Sequence, residues 1–315
     1  LDIFTRNNDL VAAIKSKKLD DDTKILVEPR VATTSMINSN LGLLDEVEKN
    51  LVKSDFEIIA AVGGADLRTK SGSYVDTRST GAIVGAARTL KKADGLLTFG
   101  AFAEYGRGNY SAHLDNGTSG WGNANFGGLG IFVEKEDYDG AYYGGSLRGG
   151  RISTDFRGII NDTSTSYDSD NNYYALHLAG GRKFAVSPKG TMDIYGKAFY
   201  TYQEGTGAKL STGEHYQFGS VNSLRLRLGG RYNYKINDQS IVYAGLAYEY
   251  EFGGKATATY QGESAPSPNP RGGSGMLELG WKGKTSKAMT VGVKMNGWVG
   301  HKQGIGGTVT MNWEF

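Results

Sequence analysis

The stretch Gly304–Phe315, GIGGTVTMNWEF, decides the fold class. From Val309 to Phe315 every second side chain is apolar, and the positions between them are polar. In an extended strand the two sets point to opposite faces. A final strand with one apolar face is typical of a closed membrane barrel, whose last strand pairs with its first. A soluble sandwich that ends in a strand is the alternative.

Composition agrees with a barrel. The chain has 47 glycines among 315 residues, about twice the usual share, and 19 tyrosines. It has no cysteine, a net charge of +2 and a mean hydropathy of -0.40. So small a net charge creates no global field that would attract nucleic acid. No apolar run reaches the length of about 18 residues that a helical membrane span needs, whereas a barrel strand turns only every second residue to lipid.

The first 55 residues differ from the rest, with no Tyr or Trp and only one glycine, Gly42. Spacing predicts a short helix at residues 8–18, an Asp20-Asp21-Asp22 turn, and a second helix over residues 31–52. About 20 helical residues reach roughly 30 Å, the thickness of a bilayer core. An amphipathic helix on a globular core is the alternative. The apolar stripe of the second helix consists of Ile37, Leu41, Leu44, Val47 and Leu51.

Beyond Asp55 the sequence predicts about twelve strands up to Phe315. Short turns near Lys91, Asp139 and three later positions alternate with longer connections, as in outer-membrane barrels. The longer connections are 106–126, 154–171, 204–219 and 254–271. The predicted strands are 56–67, 79–90, 95–106, 127–137, 140–153, 172–184, 190–203, 219–234, 240–253, 272–283, 288–299 and 304–315.

Alternation within these strands separates a lipid face from a lumen face. Opposite charges on neighbouring strands are expected to pair and to keep the lumen hydrated. They form either a purely structural ladder or a wall along which an unfolded chain slides. Lipid contacts are predicted for Leu97, Phe99, Leu226, Leu246, Leu277 and Val293. Lumen positions are predicted for Arg225, Arg227, Arg231, Glu249, Glu251, Glu278, Lys294, Thr310 and Glu314.

Enzyme chemistry has little support in the sequence. The four histidines, His113, His177, His215 and His301, are scattered without metal-ligand spacing. His113 lies near Asp115 in a predicted outer loop, where an outer-membrane hydrolase would use a rim histidine with an acid or a serine. We therefore predict no enzyme activity, no cofactor and no metal.

Seven blocks carry a family resemblance. In order they are EIIAAVGGADLRTKSGSYVD, LTFGAFAEYGRGNY, YYGGSLRGGR, SLRLRLGGRYNY, YAGLAYEYEFGGKA, PRGGSGMLELG and the closing GIGGTVTMNWEF. Together they resemble the autotransporter β-domain, the translocator of type V secretion, over roughly residues 31–315. The resemblance implies an all-β, 12-stranded antiparallel transmembrane β-barrel with an N-terminal α-helix in the pore. That barrel would export its own N-terminal passenger to the surface of a Gram-negative cell.

The resemblance also implies a domain division and residue roles. Residues 1–30 would be the linker or passenger end, 31–55 the pore-spanning helix, and 56–315 the barrel. The pore-helix residues would be Ile37, Asn38, Asn40, Leu41, Leu44, Val47 and Leu51. The assembly signal would be Val309, Met311, Trp313 and Phe315.

Implied partners are outer-membrane lipid, the barrel-assembly machinery, periplasmic chaperones and the chain's own passenger, with no nucleic acid and a monomeric state. Some family members cut their helix at an Asn-Asn pair, but here the helix has Asn38-Ser39-Asn40, so the resemblance does not carry self-cleavage over. The start LDIF, without Met or a signal-peptide core, predicts a piece excised from a longer chain. A general diffusion porin of 14 or 16 strands is the alternative function.

Overall fold

The computed structural model describes residues 2–6, 9–13 and 18–315, with side chains from residue 18 onward. Two short strands, β1 (Asp2–Arg6) and β2 (Asp9–Ala13), form an antiparallel pair. The helix predicted at residues 8–18 is therefore wrong at residues 9–13. Residues 8 and 14–17 lie outside the described residues.

A 3-10 helix (Asp21–Leu26) leads into the long helix α1 (Glu28–Asn50). The 3-10 helix stands where a turn was predicted, and its N-cap Asp20 accepts a hydrogen bond from the backbone of Asp22 at 2.9 Å. The long helix begins before the predicted residue 31 because Pro29 lies in its first turn, where a missing N–H breaks no helical hydrogen bond. No helix in the described part of the chain is long and apolar enough to cross a membrane.

Sixteen further strands follow α1. They are β3 (Glu57–Lys70), β4 (Tyr74–Lys91), β5 (Gly95–His113), β6 (Ser119–Asp137), β7 (Ala141–Ile160), β8 (Thr163–Ala185), β9 (Gly190–Gln203), β10 (Thr206–Lys209), β11 (His215–Phe218), β12 (Val221–Asn237), β13 (Ser240–Glu251), β14 (Ala258–Tyr260), β15 (Glu263–Ser264), β16 (Gly272–Lys284), β17 (Met289–Gly300) and β18 (Lys302–Glu314).

Twelve of these strands close into an antiparallel barrel, in the order β3 to β9, β12, β13, β16, β17 and β18. The barrel closes where β18 pairs with β3, with Val309 opposite Val62. Closure leaves no unpaired strand edge, which is what a lipid environment demands. The prediction of a 12-stranded antiparallel barrel with an N-terminal helix is confirmed.

Two of the predicted long connections are wrong. Residues 106–126 and 154–171 are mostly strand, since the β5–β6 ladder continues to His113 opposite Ser119 and the β7–β8 ladder to Ile160 opposite Thr163. Strand pairing continues there although outward residues such as Arg107 and Asn109 are polar, because beyond the lipid layer a strand does not need an apolar outer face. The alternation that revealed the strands is lost where the wall leaves the membrane.

The other two long connections contain a small four-stranded sheet formed by β10, β11, β14 and β15. An apolar core joins this sheet to the 3-10 helix and the start of α1. At its centre the Tyr167 ring lies 5.1 Å from Phe156 and 5.2 Å from Phe218, and its hydroxyl donates to the Leu26 carbonyl at 2.7 Å. This apolar core therefore holds the first residues of α1 at the end of the lumen that the small sheet covers.

Candidate functional site

The lumen is filled by α1. None of its 23 residues is exposed, and it packs most extensively against β3, β4 and β5. A helix with charged and apolar residues on all sides can be buried only in a wall that is itself mixed. The five residues of the predicted apolar stripe are all buried, but they contact different parts of the wall. Ile37 belongs to the core at the small sheet, Leu41 packs with Ala175 and Phe199, and Leu44, Val47 and Leu51 pack with Leu43 on Ile59, Ile83, Phe102 and Phe132.

Asp45 of α1 is surrounded by three cations. Lys197 of β9 forms a direct ion pair with it, Lys49 lies at 3.3 Å, and Arg227 of β12 lies at 4.0 Å. Both Asp45 and Lys197 are almost fully buried. A buried carboxylate keeps its charge only when cations or donors replace its lost hydration, and here the wall supplies them.

Glu46, the next residue, contacts β12, β13 and β17. Lys294 Nζ of β17 lies 2.8 Å from Glu46 Oε2, and Arg231 Nη2 of β12 lies 3.5 Å from the same oxygen. The Tyr243 hydroxyl donates to Glu46 Oε1 at 2.7 Å. Arg231 also donates from Nε to Glu278 Oε1 of β16 at 2.8 Å. The ion pairs between wall strands and those between wall and helix therefore form one network.

A second cluster of charged residues lines the cavity that remains in the lumen beside α1, which we call the open side of the helix. Glu249 of β13 accepts from Arg227 at 2.8 Å, from Arg225 at 3.4 Å and from Lys302 at 2.5 Å. Lys302 Nζ also lies 3.3 Å from the centre of the Trp298 ring. Glu251 is only half-buried and accepts from the Ser223 hydroxyl at 2.6 Å. The structure thus places seven of the nine predicted lumen residues, from Arg225 to Lys294, on the inner face around α1. Glu314, near the end of β18, pairs instead with Lys284 at 2.8 Å.

Asn38 and Asn50 join the helix to the wall through amide hydrogen bonds. Asn38 accepts from the Thr201 hydroxyl at 2.8 Å and donates to Ser223 at 3.2 Å. Asn50, at the last turn, donates to Thr310 Oγ1 of β18 at 2.9 Å. Thr310 therefore lies on the inner face, where the helix buries it.

Sequence reasoning missed the contact at Glu104. This carboxylate of β5 accepts from Asn40 of α1 and forms an ion pair with Arg148 of β7, and the Tyr173 hydroxyl donates to it at 2.6 Å. Arg148 also donates to the Ile37 carbonyl at 2.9 Å. The alternation of β5 placed Glu104 on the inner face, but nothing in one sequence shows that Arg148 and Asn40 meet it there.

Asp45, Glu48 and His177 form the one cluster of possible metal ligands within residues 18–315. The histidine Nδ1 lies 3.5 Å from Glu48 Oε2, and its ring stacks on Phe199 at 4.8 Å. The fit to a metal is poor, because the ammonium groups of Lys197 and Lys49 already neutralise Asp45. The cluster is best described as part of the contact between helix and wall.

The outer face carries the large apolar side chains. Leu246 is 67% exposed and Val293 is 40% exposed, and Phe99, Leu226 and Leu277 fall between them, whereas Leu97 is half-buried. Met311, Trp313 and Phe315 are exposed on the same face, and Val309 is half-buried. The Phe315 ring centre lies 5.9 Å from that of Phe56.

The autotransporter β-domain family model matches residues 59–296. Among solved structures, the translocator domain of the autotransporter NalP from Neisseria meningitidis is 15% identical with a TM-score of 0.72, covering 93% of this chain and 99% of that one. The β-domain of the Bordetella autotransporter BrkA is 16% identical with a TM-score of 0.68, covering 83% and 100%. The transport unit of AIDA-I from Escherichia coli is 12% identical with a TM-score of 0.63, covering 91% and 99%. At these identities the structures support the fold alone, and no curated protein matches the sequence.

Proposed function

This chain belongs to the autotransporter β-domain family and is an outer-membrane translocator domain, and we propose that α1 connects the exported passenger to the barrel and is held in the pore as a plug. In this proposal the residues before Glu28 are the linker or the end of the passenger. The pore helix is Glu28–Asn50, and the barrel follows from residue 56.

One observation carries the plug proposal. The helix is buried on every side, yet residues along its length bind the wall through charges or amides, among them Asn38, Asn40, Asp45, Glu46 and Asn50. A helix held only by apolar contacts could not be withdrawn into water without exposing them. Polar contacts can be exchanged for water at smaller net cost, which suits a segment that entered through the same pore.

The polar wall suits a passing polypeptide for the same reason. Inward charges of both signs neutralise one another in pairs such as Arg231 with Glu278. An unfolded chain therefore meets a hydrated surface without a large apolar patch or a strong net field on which it would stall. The wall then serves both export and the final docking of α1.

Assembly is proposed to depend on β18. Val309, Met311, Trp313 and Phe315 would bind the barrel-assembly machinery while they are still exposed in the periplasm, and periplasmic chaperones would hold the chain before that. A monomer is proposed because the barrel closes on itself and the plug comes from the same chain.

We further propose that the domain has no catalytic role. Barrels of this family act in transport. His113, the rim candidate, stacks on Tyr74 at 4.9 Å at the end of β5. Asn40 donates to Glu104, and no Asn-Asn pair lies in α1, so the helix is proposed to stay intact after export. The mass of the protein recovered from cells tests this point, because cleavage within α1 would split the chain.

The plug is tested by conductance and by cross-linking. Deleting residues 1–52 should raise single-channel conductance in planar bilayers, because the lumen then holds only wall side chains. In the full chain, which has no native cysteine, the pair Asn50→Cys and Thr310→Cys should react with a short thiol cross-linker, since the side chains lie 2.9 Å apart. The matched pair Asn50→Cys and Leu246→Cys should not react, because Leu246 lies on the outer face. Unchanged conductance together with cross-linking of neither pair would refute the plug.

The porin alternative predicts the opposite result. A general diffusion porin needs an open lumen, and solute flux through liposomes would be high for the full chain. The filled lumen and the family match favour the translocator.

A further inference from the structure

The lipid-facing wall has a depression of about 1320 Å³ across β4 to β8. Its floor is made of small outward residues, Ala86, Ala101 and Gly145. Ala86 lies directly opposite Ala101 in the ladder between β4 and β5. Large apolar side chains stand around this floor, among them Phe99, Ile131 and Leu178.

The inner side of the wall is packed at this place. Phe132 points inward and is buried, and its ring lies over Gly100, in the space that a Cβ on Gly100 would occupy. A concavity of this size exceeds an ordinary ligand pocket of about 300–1000 Å³, so it suits a long apolar molecule.

Basic residues lie at the end of the depression near the short turns. Arg88 of β4 and Lys135 of β6 line it there. Arg88 is exposed and has no carboxylate within 4.0 Å among the described residues. Lys135 is already paired with Asp94 at 2.6 Å and Asp137 at 2.9 Å. The charge left for a ligand is therefore that of Arg88, reinforced by Lys91 and Lys92 in the adjoining turn.

Such an arrangement is polar at one end and apolar over the rest of its length. In outer-membrane barrels the short turns face the periplasm, so Arg88 lies at the level of the phospholipid headgroups of the inner leaflet. An arginine there directs its guanidinium toward the interface, where it can hold a phosphate through two parallel hydrogen bonds. The small residues that lie nearer the middle of the membrane leave room for acyl chains, which larger outward side chains at the same positions would exclude.

We propose that this depression binds one anionic glycerophospholipid of the inner leaflet, with its phosphate on Arg88 and an acyl chain over Ala86, Ala101 and Gly145. The site is distinct from the lumen and makes no use of α1. It rests on the placement of the short turns in the periplasm and on insertion in the membrane, but not on the plug.

Native mass spectrometry of the full chain, released from nanodiscs of equal phosphatidylglycerol and phosphatidylcholine, tests the proposal. The wild type should retain one phosphatidylglycerol with a preference of about fivefold, the effect expected of one cation near an anionic lipid. Arg88→Gln should abolish the preference. Lys235→Gln, which removes an exposed cation at the same end of the barrel on β12, should retain it.

Filling the floor tests the apolar half of the site. Ala101→Trp should remove the retained lipid whatever its headgroup, whereas Ala103→Trp, on the same strand outside the depression, should keep it. The heat-dependent shift in gel mobility shows whether each variant is folded. If Ala101→Trp fails to fold, Arg88→Gln still tests the proposal, because it does not alter the floor of the depression. Equal retention of the two lipids by the wild type, an unchanged preference in Arg88→Gln, or a lipid-free dimer would each overturn the proposal.

Discussion

Lys294 Nζ of β17 lies 2.8 Å from Glu46 Oε2 of α1, and both side chains are more than nine-tenths buried. This ion pair joins the closing half of the barrel to the helix within it. Because neither group can regain water without moving the helix, the pair ties the position of α1 to the integrity of the wall.

Replacing Lys294 by Met should destabilise the folded protein by about 3–5 kcal/mol, because Glu46 loses its nearest cation while it stays buried. Denaturant unfolding of the detergent-refolded chain measures the loss. Lys284→Met is the control, since the pair of Lys284 with Glu314 is partly exposed and should be worth about 0–1 kcal/mol. Equal losses in the two variants would mean that water reaches Glu46 freely.

Asn40→Asp should destabilise the contact between α1 and the barrel wall. The new carboxylate would lie against Glu104, whose one cation in the structure is Arg148. A like charge in this buried place should cost about 3–5 kcal/mol, comparable to an unpaired buried charge. Ser39, one residue earlier, borders the open side of the helix, so Ser39→Asp should destabilise the protein much less. Denaturant midpoints of the two variants would coincide if the Glu104 contact were not formed.

Arginine at Leu246 should cost about 2–4 kcal/mol if this residue lies near the middle of the bilayer. Asn296→Arg should cost far less, because Asn296 borders the space beside α1. Thr310, also on the inner face, is not a suitable control, because an arginine there would displace Asn50. Denaturant titration of each variant refolded into lipid vesicles measures the two losses of stability. Similar losses on the two faces would reverse the assignment of inside and outside.

Deleting Phe315 should sharply lower the amount of barrel inserted in cells and leave refolding into detergent nearly intact. Its side chain is 74% exposed, so the area it buries is a fraction of the roughly 1.5–3 kcal/mol that a fully buried aromatic contributes. Quantitative immunoblots of outer membranes and thermal melts of refolded protein supply the two readouts. Damage of the same size in both would assign Phe315 to the stability of the seam between β18 and β3.

The sequence by itself determined the barrel and its two faces. Strand alternation repeats every two residues along each strand, so a single chain shows which side chains share a face, and the inward arginines of β12 and glutamates of β13 followed directly from it. The pore helix followed from helical spacing and length. In residues 106–126 and 154–171 no lipid imposes an apolar outer face, so the sequence did not predict that the neighbouring strands extend through them.

Only the tertiary structure decided which charges meet. Lys197 with Asp45, Arg148 with Glu104 and Lys294 with Glu46 are each separated by more than 40 residues in the chain. Their pairing depends on the rotation and depth of α1 within the closed wall, which no local pattern encodes. The depression at Ala86 and Ala101 likewise arises only when four strand pairings bring small residues together. Local periodicity sets which face a residue occupies, and barrel closure sets its neighbours across the lumen.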